Sequence, residues 1–153
     1  MVFLSILNQV KKNVSKIIEE KGYDRVGFVV EPSKGGFGDI TCNVAFLLAK
    51  SLKKSPQEIA QEFAGAYDTS QSKELNKVEA HQSGYLNFFL DANSFNKAVL
   101  LESQKENYGS IDIGKNSKVI VEHTSVNPNK ALHIGHLRNV TIGDAISRIL
   151  SKV

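Results

Sequence analysis

Residues 118–153 constrain the fold more than any other stretch, because a short apolar run, a polar turn and a long amphipathic pattern follow directly on one another. Residues 118–123 (KVIVEH) read as a strand of the kind buried on both faces. The turn over 124–130 leads into a helix from near His136, whose apolar positions Ile142, Ala145, Ile146, Ile149, Leu150 and Val153 keep a 3.6-residue period to the last residue. One strand and one helix cannot close a parallel sheet, so an incomplete second domain is expected here. Its uncovered apolar face (Ile142, Ile146, Ile149, Leu150) is expected to associate or to disorder.

The preceding residues spell a different pattern. Phe3, Leu7, Val10, Val14 and Ile17, with Ile6 and Ile18 beside them, draw one stripe along a helix over 3–21, and Gly22 is a natural stop. Residues 25–31 (RVGFVVE) are rich in β-branched side chains and predict a strand, followed by a loop over 32–36. A helix is expected from about Asn43 to Leu52. Gly38-Asp39 is read as starting or capping that helix rather than as catalytic. Ser55-Pro56-Gln57-Glu58 combines an N-cap, a first-position proline and an N3 glutamate, so another helix begins there. Residues 77–81 and 85–90 predict paired strands turning near Ser83-Gly84, and a further helix begins at Asn93. The polar stretch 107–117 carries two glycines and marks a boundary, giving an α+β domain over 1–112 and a second domain over 113–153.

Composition narrows the class. The 153 residues are 41% hydrophobic and 23% charged, which excludes a disordered polyelectrolyte, a fibre and a disulfide-stapled miniprotein. The longest apolar run, residues 44–49, is far short of the roughly 20 needed to span a bilayer. With no secretory-type start and one cysteine, Cys42, read as buried filler, the expectation is a soluble cytoplasmic protein without a membrane partner. The net charge of +3 falls entirely in residues 116–153, which suits a phosphate-bearing ligand.

The stretch His133-Ile134-Gly135-His136 sets two imidazoles around a glycine where a loop enters a helix. A helix start presents unpaired N–H groups and partial positive charge, so it attracts phosphate. His133 and His136 can donate to phosphate oxygens, Gly135 lets a nucleotide approach the backbone, and Lys130 adds a mobile cation. The plain alternative is a pair of surface histidines or a helix cap. The position after a strand and before a helix favours the functional reading.

His133-Ile134-Gly135-His136 resembles the "HIGH" signature of class I aminoacyl-tRNA synthetases, which opens a Rossmann-type catalytic domain. The wider run Val121-Glu122-His123-Thr124-Ser125-Val126-Asn127-Pro128-Asn129-Lys130, then His136-Leu137-Arg138-Asn139 and Ile142-Gly143-Asp144, resembles the arginyl-tRNA synthetases. Those typically read V-E-F-S-S-P-N, a lysine, H-(V/I)-G-H-L-R and I-G-D. His123, Thr124 and Val126 depart from the usual Phe, Ser and Pro, and none carries an assigned role. Residues 37–45 (FGDITCNVA) and 84–88 (GYLNF) are similar to segments of that family's N-terminal additional domain, so the resemblance covers nearly the whole chain.

The resemblance implies an arginine–tRNA ligase, of which this chain is the N-terminal additional domain plus the first β-α unit of the catalytic domain. Its full-length form would use ATP with Mg2+, L-arginine and tRNA(Arg), with no metal held by the protein itself and no tightly bound cofactor. His133, Gly135, His136 and Lys130 would contact ATP. Glu122 would receive the arginine guanidinium, a pairing that charge-assisted two-pronged geometry also favours. Asn127 would hold the α-amino group, and Ser125 would contribute backbone. Tyr85, Asn87 and more weakly Gln82 would meet tRNA near the D-loop, one ring stacking and one amide reading base edges.

Each role has a plainer alternative. Glu122 could form a local salt bridge, Asn127 an Asx-turn before Pro128, Lys130 a solvated loop cation, and Tyr85 part of the strand core. His81 is unassigned. A different class of function, a tRNA-binding module without chemistry, competes with the enzyme. A small nucleotidyltransferase ranks below both, because its H-x-G-H loop ordinarily lies near the chain start. This piece alone, without the rest of the synthetase chain, is expected to be inactive in aminoacylation.

Overall fold

Helix α1, Val2–Glu20, buries Ile6, Val10, Val14, Ile17 and Ile18, while Phe3 and Leu7 of the predicted stripe are only partly buried. It ends where the Tyr23 N–H donates to the Ile18 carbonyl and the Gly22 N–H to that of Glu19. The computed structural model describes residues 2–111, 113–114 and 117–153. These form two compact units, Met1–Glu102 and Ser103–Val153.

In the first unit a four-stranded sheet has the order β1-β2-β4-β3, with β1 Val30–Pro32, β2 Ile40–Cys42, β3 Leu75–Ala80 and β4 Leu86–Leu90. All pairings are antiparallel. Ile40 stands opposite Phe88 and Cys42 opposite Leu86. All four are buried, so one face of the sheet is the core. Helices α2 (Val44–Leu52) and α3 (Pro56–Ala66) and a single 3-10 turn (Thr69–Gln71) separate β2 from β3. Val44, Leu48, Ile59 and Phe63 join that core, and the Tyr67 ring meets Phe88 edge-on at 5.1 Å. Burial pushes the Cys42 thiol up to about 12, as befits a packing residue. Helix α4 (Ala92–Ser103) packs Phe95 edge-on against Phe3.

The start of α3 matches its sequence signature. Ser55 Oγ accepts from the Glu58 N–H, and Glu58 Oε2 accepts from the Ser55 N–H, with Pro56 in the first turn. Such a cap is worth about 1 kcal/mol.

Three expectations need correction. Of the strand expected over 25–31 only residues 30 and 31 enter the ladder, which runs on to Pro32 in the expected loop. The Val29 N–H is taken instead by the Asn43 side-chain oxygen at 2.8 Å. Asp39 does not cap α2, whose N-cap residue is Asn43 and lacks a side-chain cap. The Asp39 carboxylate instead accepts the Leu90 N–H at 2.8 Å, at the end of β4. Residues 118–123 carry no ladder, since none of the described residues pairs with them. No helix among the described residues is long and apolar enough to cross a membrane.

Glu62 on α3 ties this unit together. Its carboxylate accepts from Lys21 at 2.9 Å and the Tyr23 hydroxyl at 2.7 Å through one oxygen, and from Lys54 at 3.1 Å through the other. Those donors, Lys21 foremost, lower its ionisation from 4.5 to about 2. A depressed carboxyl stabilises the fold fully above its unfolded value and loses that contribution as pH falls from about 4.5 toward about 2. Glu62→Gln should therefore lower the urea midpoint at neutral pH and flatten its decline across that acid window. A parallel decline in both proteins would show that Glu62 does not carry the acid sensitivity.

Candidate functional site

Helix α5, Ile134–Leu150, begins at an N-cap where Ser, Thr, Asp or Asn is usual and His133 is found. His133 is extended (φ −138°, ψ 172°), and its ring folds back so that Nδ1 accepts the Gly135 N–H at 3.1 Å. His136 reciprocates, its Nδ1 accepting the His133 N–H at 3.1 Å. The rings stack with centroids 3.9 Å apart and planes 30° off parallel. A neutral imidazole that accepts at Nδ1 carries its hydrogen at Nε2. The reciprocal cap thus sets both rings in one tautomer, each with a single outward donor.

Gly135 is required by this geometry. A Cβ on it would stand 2.9 Å from His133 Cε1 and 3.0 Å from Nδ1, displacing the capping ring. Both rings line a recess of about 540 Å³ whose other walls include Thr124, Val126, Leu132 and Leu137. Two N–H donors at the positive end of a 17-residue helix make this an anion-receiving wall with apolar sides.

A second recess of about 250 Å³ is lined by Glu122, Ser125, Asn139 and Ile146 among others. Thr124 borders both. Between the recesses the backbone turns through two consecutive left-handed residues, Thr124 (φ 79°) and Ser125 (φ 42°). That conformation is costly for a β-branched side chain and concentrates at functional sites. The His123 ring holds the Thr124 hydroxyl at 2.8 Å and lies against Gly143, the buried residue of α5. Any side chain at 143 would overlap that ring.

The nominated residues therefore divide. His133 and His136 share one recess, and Glu122 and Ser125 share the other. Among the described residues Glu122 and Lys130 form no ion pair. Asn127 makes the Asx-turn, its Oδ1 accepting the Asn129 N–H at 3.0 Å. Neither Asn127 nor Lys130 lines either of these two recesses. Thr124, Leu132 and Asn139 were not singled out from sequence, having no titratable group or repeat to mark them. No cluster of His, Cys, Asp or Glu able to hold a metal occurs among the described residues.

In the first unit, the sheet face away from the core bears a recess of about 220 Å³. Tyr85 lines it, 41% exposed, with Phe46 edge-on at 4.8 Å. Asn87 also lines it but is 5% exposed, its Oδ1 receiving the Thr41 hydroxyl at 3.1 Å. Gln82 is exposed in the hairpin turn and lies outside the lining. Phe37 and His81 also line the recess, their rings edge-on at 4.9 Å, and Glu31 and Lys34 bring one charge of each sign. Sequence left both unassigned. The one signal was a large apolar ring, Phe37, inside a glycine-rich loop with no periodicity to bury it.

Residues 97–153 match the family model "tRNA synthetases class I (R), catalytic domain", so the paired-imidazole helix start belongs to a class I aminoacyl-tRNA synthetase. Residues 5–90 match "Arginyl tRNA synthetase N terminal domain". The chain belongs to the arginyl-tRNA synthetase family.

Relatives agree. The chain is 44% identical over 144 residues to an arginine–tRNA ligase of Thermococcus sibiricus, covering 92% of this chain and 22% of that one. It is 44% identical over 151 residues to that of Pyrococcus furiosus, covering 95% and 24%. The chain thus spans about a quarter of the length of these curated relatives. The solved arginyl-tRNA synthetase of Thermus thermophilus matches with 35% identity and a TM-score of 0.51, over 95% of this chain and 23% of that one. That of Plasmodium falciparum shares the fold at 20% identity and a TM-score of 0.62, over 96% and 28%.

Gly143→Ala should destabilise the Ser103–Val153 unit by about 1–3 kcal/mol, the usual cost of overpacking. Amide hydrogen exchange reads this as faster exchange confined to 118–150, whereas unchanged protection there would show that the His123 contact does not matter.

Proposed function

We propose that this chain is the N-terminal part of an arginine–tRNA ligase, which activates L-arginine with ATP and transfers it to tRNA(Arg). The observation that carries the reading is the reciprocal His133–His136 cap, which leaves an Nε2–H donor on each of two rings that line the recess at the positive end of α5. In adenylation the arginine carboxylate oxygen attacks the α-phosphorus, pyrophosphate leaves, and negative charge builds on the phosphate oxygens. Donors held in advance along that path stabilise the transition state more than the ground state. Lys130, three residues before the cap on an exposed turn, reaches for the same charge.

Glu122 meets the arginine guanidinium, and its freedom from ion pairs among the described residues leaves both carboxylate oxygens for a two-pronged bond. Asn127 offers the second lone pair of Oδ1 to the α-amino group, the first being used in its Asx-turn. Ser125 contributes backbone from the turn it shares with Thr124. Magnesium would travel with the phosphates of the nucleotide. Tyr85, Asn87 and Gln82 meet tRNA. The functional division is set at 112/113, with tRNA contact in 1–112 and chemistry from 113. A cytoplasmic location accords with the role. A binding module without chemistry is disfavoured by the catalytic-domain match over residues 97–153.

A charging assay tests the reading. The full-length protein should aminoacylate tRNA(Arg), and His136→Ala in it should lower kcat by about 10²–10³, the loss typical of one such donor. The 153-residue chain alone should give no turnover. Charging of another amino acid by the full-length protein, or full activity of His136→Ala, would refute the assignment.

A further inference from the structure

The turn at Thr124, which borders both recesses of the second unit, is held by very little. Residues 118–123 carry no ladder, and among the described residues the bond between the His123 ring and the Thr124 hydroxyl is the sole hydrogen bond of the segment 121–126. Yet Thr124 (φ 79°) and Ser125 (φ 42°) both stand in the left-handed region, where a β-branched side chain is costly. A backbone in such a form persists only where its surroundings over-determine it. His123 supplies that constraint from two sides.

Nδ1 of its ring lies 2.8 Å from Thr124 Oγ1. A hydroxyl both donates and accepts, so the bond forms whichever ring nitrogen carries the hydrogen. The same ring lies against Gly143, the buried residue of α5, and so is fixed to the helix as well as to the turn. His123, Thr124 and Gly143 line the recess of about 250 Å³ together with Glu122 and Ser125. Phenylalanine, usual at this place in the arginyl-tRNA synthetases, could rest on Gly143 but has no atom to bond the hydroxyl.

We propose that His123 is a positioning residue for arginine: seated on Gly143 and bonded to the Thr124 hydroxyl, its ring holds the Thr124–Ser125 turn in the form that presents the Ser125 backbone and the Glu122 carboxylate to the substrate. This rests on the arginine-binding role given above to Glu122 and Ser125, and it adds the pair that holds them in place. A turn fixed in advance spares the substrate the cost of ordering it, so the effect falls on arginine affinity. The His133–His136 wall has its own support in the reciprocal cap, so ATP binding does not depend on this tether.

The test is steady-state charging of tRNA(Arg) by the full-length protein, with KM measured separately for arginine and ATP. His123→Phe keeps a ring on Gly143 without the bond, and Thr124→Val keeps the shape without the hydroxyl. Each should raise KM for arginine about fivefold, the size of one hydrogen bond, with kcat and KM for ATP unchanged. The double variant should be no worse than either single one, because both remove the same bond. Thr124→Ser, which retains the hydroxyl, should keep the wild-type KM. A merely structural role would lower the active fraction, and so kcat, without moving KM for arginine alone. If the thermal midpoint of His123→Phe falls, Thr124→Val and Thr124→Ser decide the matter, since both leave the ring in place. Glu122→Gln reports on the recess itself. Should it raise KM for arginine while His123→Phe and Thr124→Val do not, the positioning role is refuted and the arginine recess stands. Equal rises in KM for both substrates, or additive losses in the double variant, would also overturn the role. Should Glu122→Gln leave KM for arginine unchanged, the arginine assignment of the recess falls, and this role with it.

Discussion

Two backbone N–H groups at the start of α5 find their acceptors in the imidazoles of His133 and His136. Helix starts must satisfy orphan donors, and a serine or aspartate would do so without further consequence. Using histidines couples helix formation to ring orientation. The same bonds that begin the helix set the tautomers and stack the rings, and they leave no room for a side chain at Gly135. Positioning of this kind needs no separate supporting residues, because the backbone itself is the support.

The loop before the cap is held from the other side. Gly143, about two turns further along α5, admits the His123 ring against the helix backbone. The left-handed Thr124 and Ser125 then redirect the chain, and Thr124 borders both the recess of His133 and His136 and that of Glu122 and Ser125. In the N-terminal unit a comparable economy operates on the sheet. Alternation sends Ile40, Cys42, Leu86 and Phe88 into the core and leaves Thr41, Tyr85 and Asn87 on the other face, where the 33–38 loop and its Phe37 fold over them.

Local signals were legible where the interaction is local. The Ser55-Pro56-Glu58 start and the α1 stripe are contacts within three or four residues, and both formed as read, apart from the partly buried Phe3 and Leu7. Interactions spanning distant residues were not legible. Nothing near Asp39 announces that its carboxylate serves Leu90, 51 residues away, nor does Val29 announce a bond to the Asn43 side chain. Asn127 adopted the Asx-turn that its proline neighbour allows, without excluding a ligand at the remaining lone pair. Tyr85 lies at the surface, but Asn87 is covered, because the loop that buries it comes from 50 residues earlier in the chain.

What the residues alone determined is the chemistry available. Two imidazoles at a helix start, a carboxylate at the end of an apolar run and an aromatic–amide pair on a strand are properties of order and spacing. Tertiary structure decided which of these groups share a cavity and which atoms they turn toward it. The recess shared by Phe37, His81, Asn87 and Tyr85 draws on two separate chain segments, residues 31–41 and 81–87. Their meeting depends on antiparallel register and loop closure, which are set by long-range packing and leave no mark in local sequence.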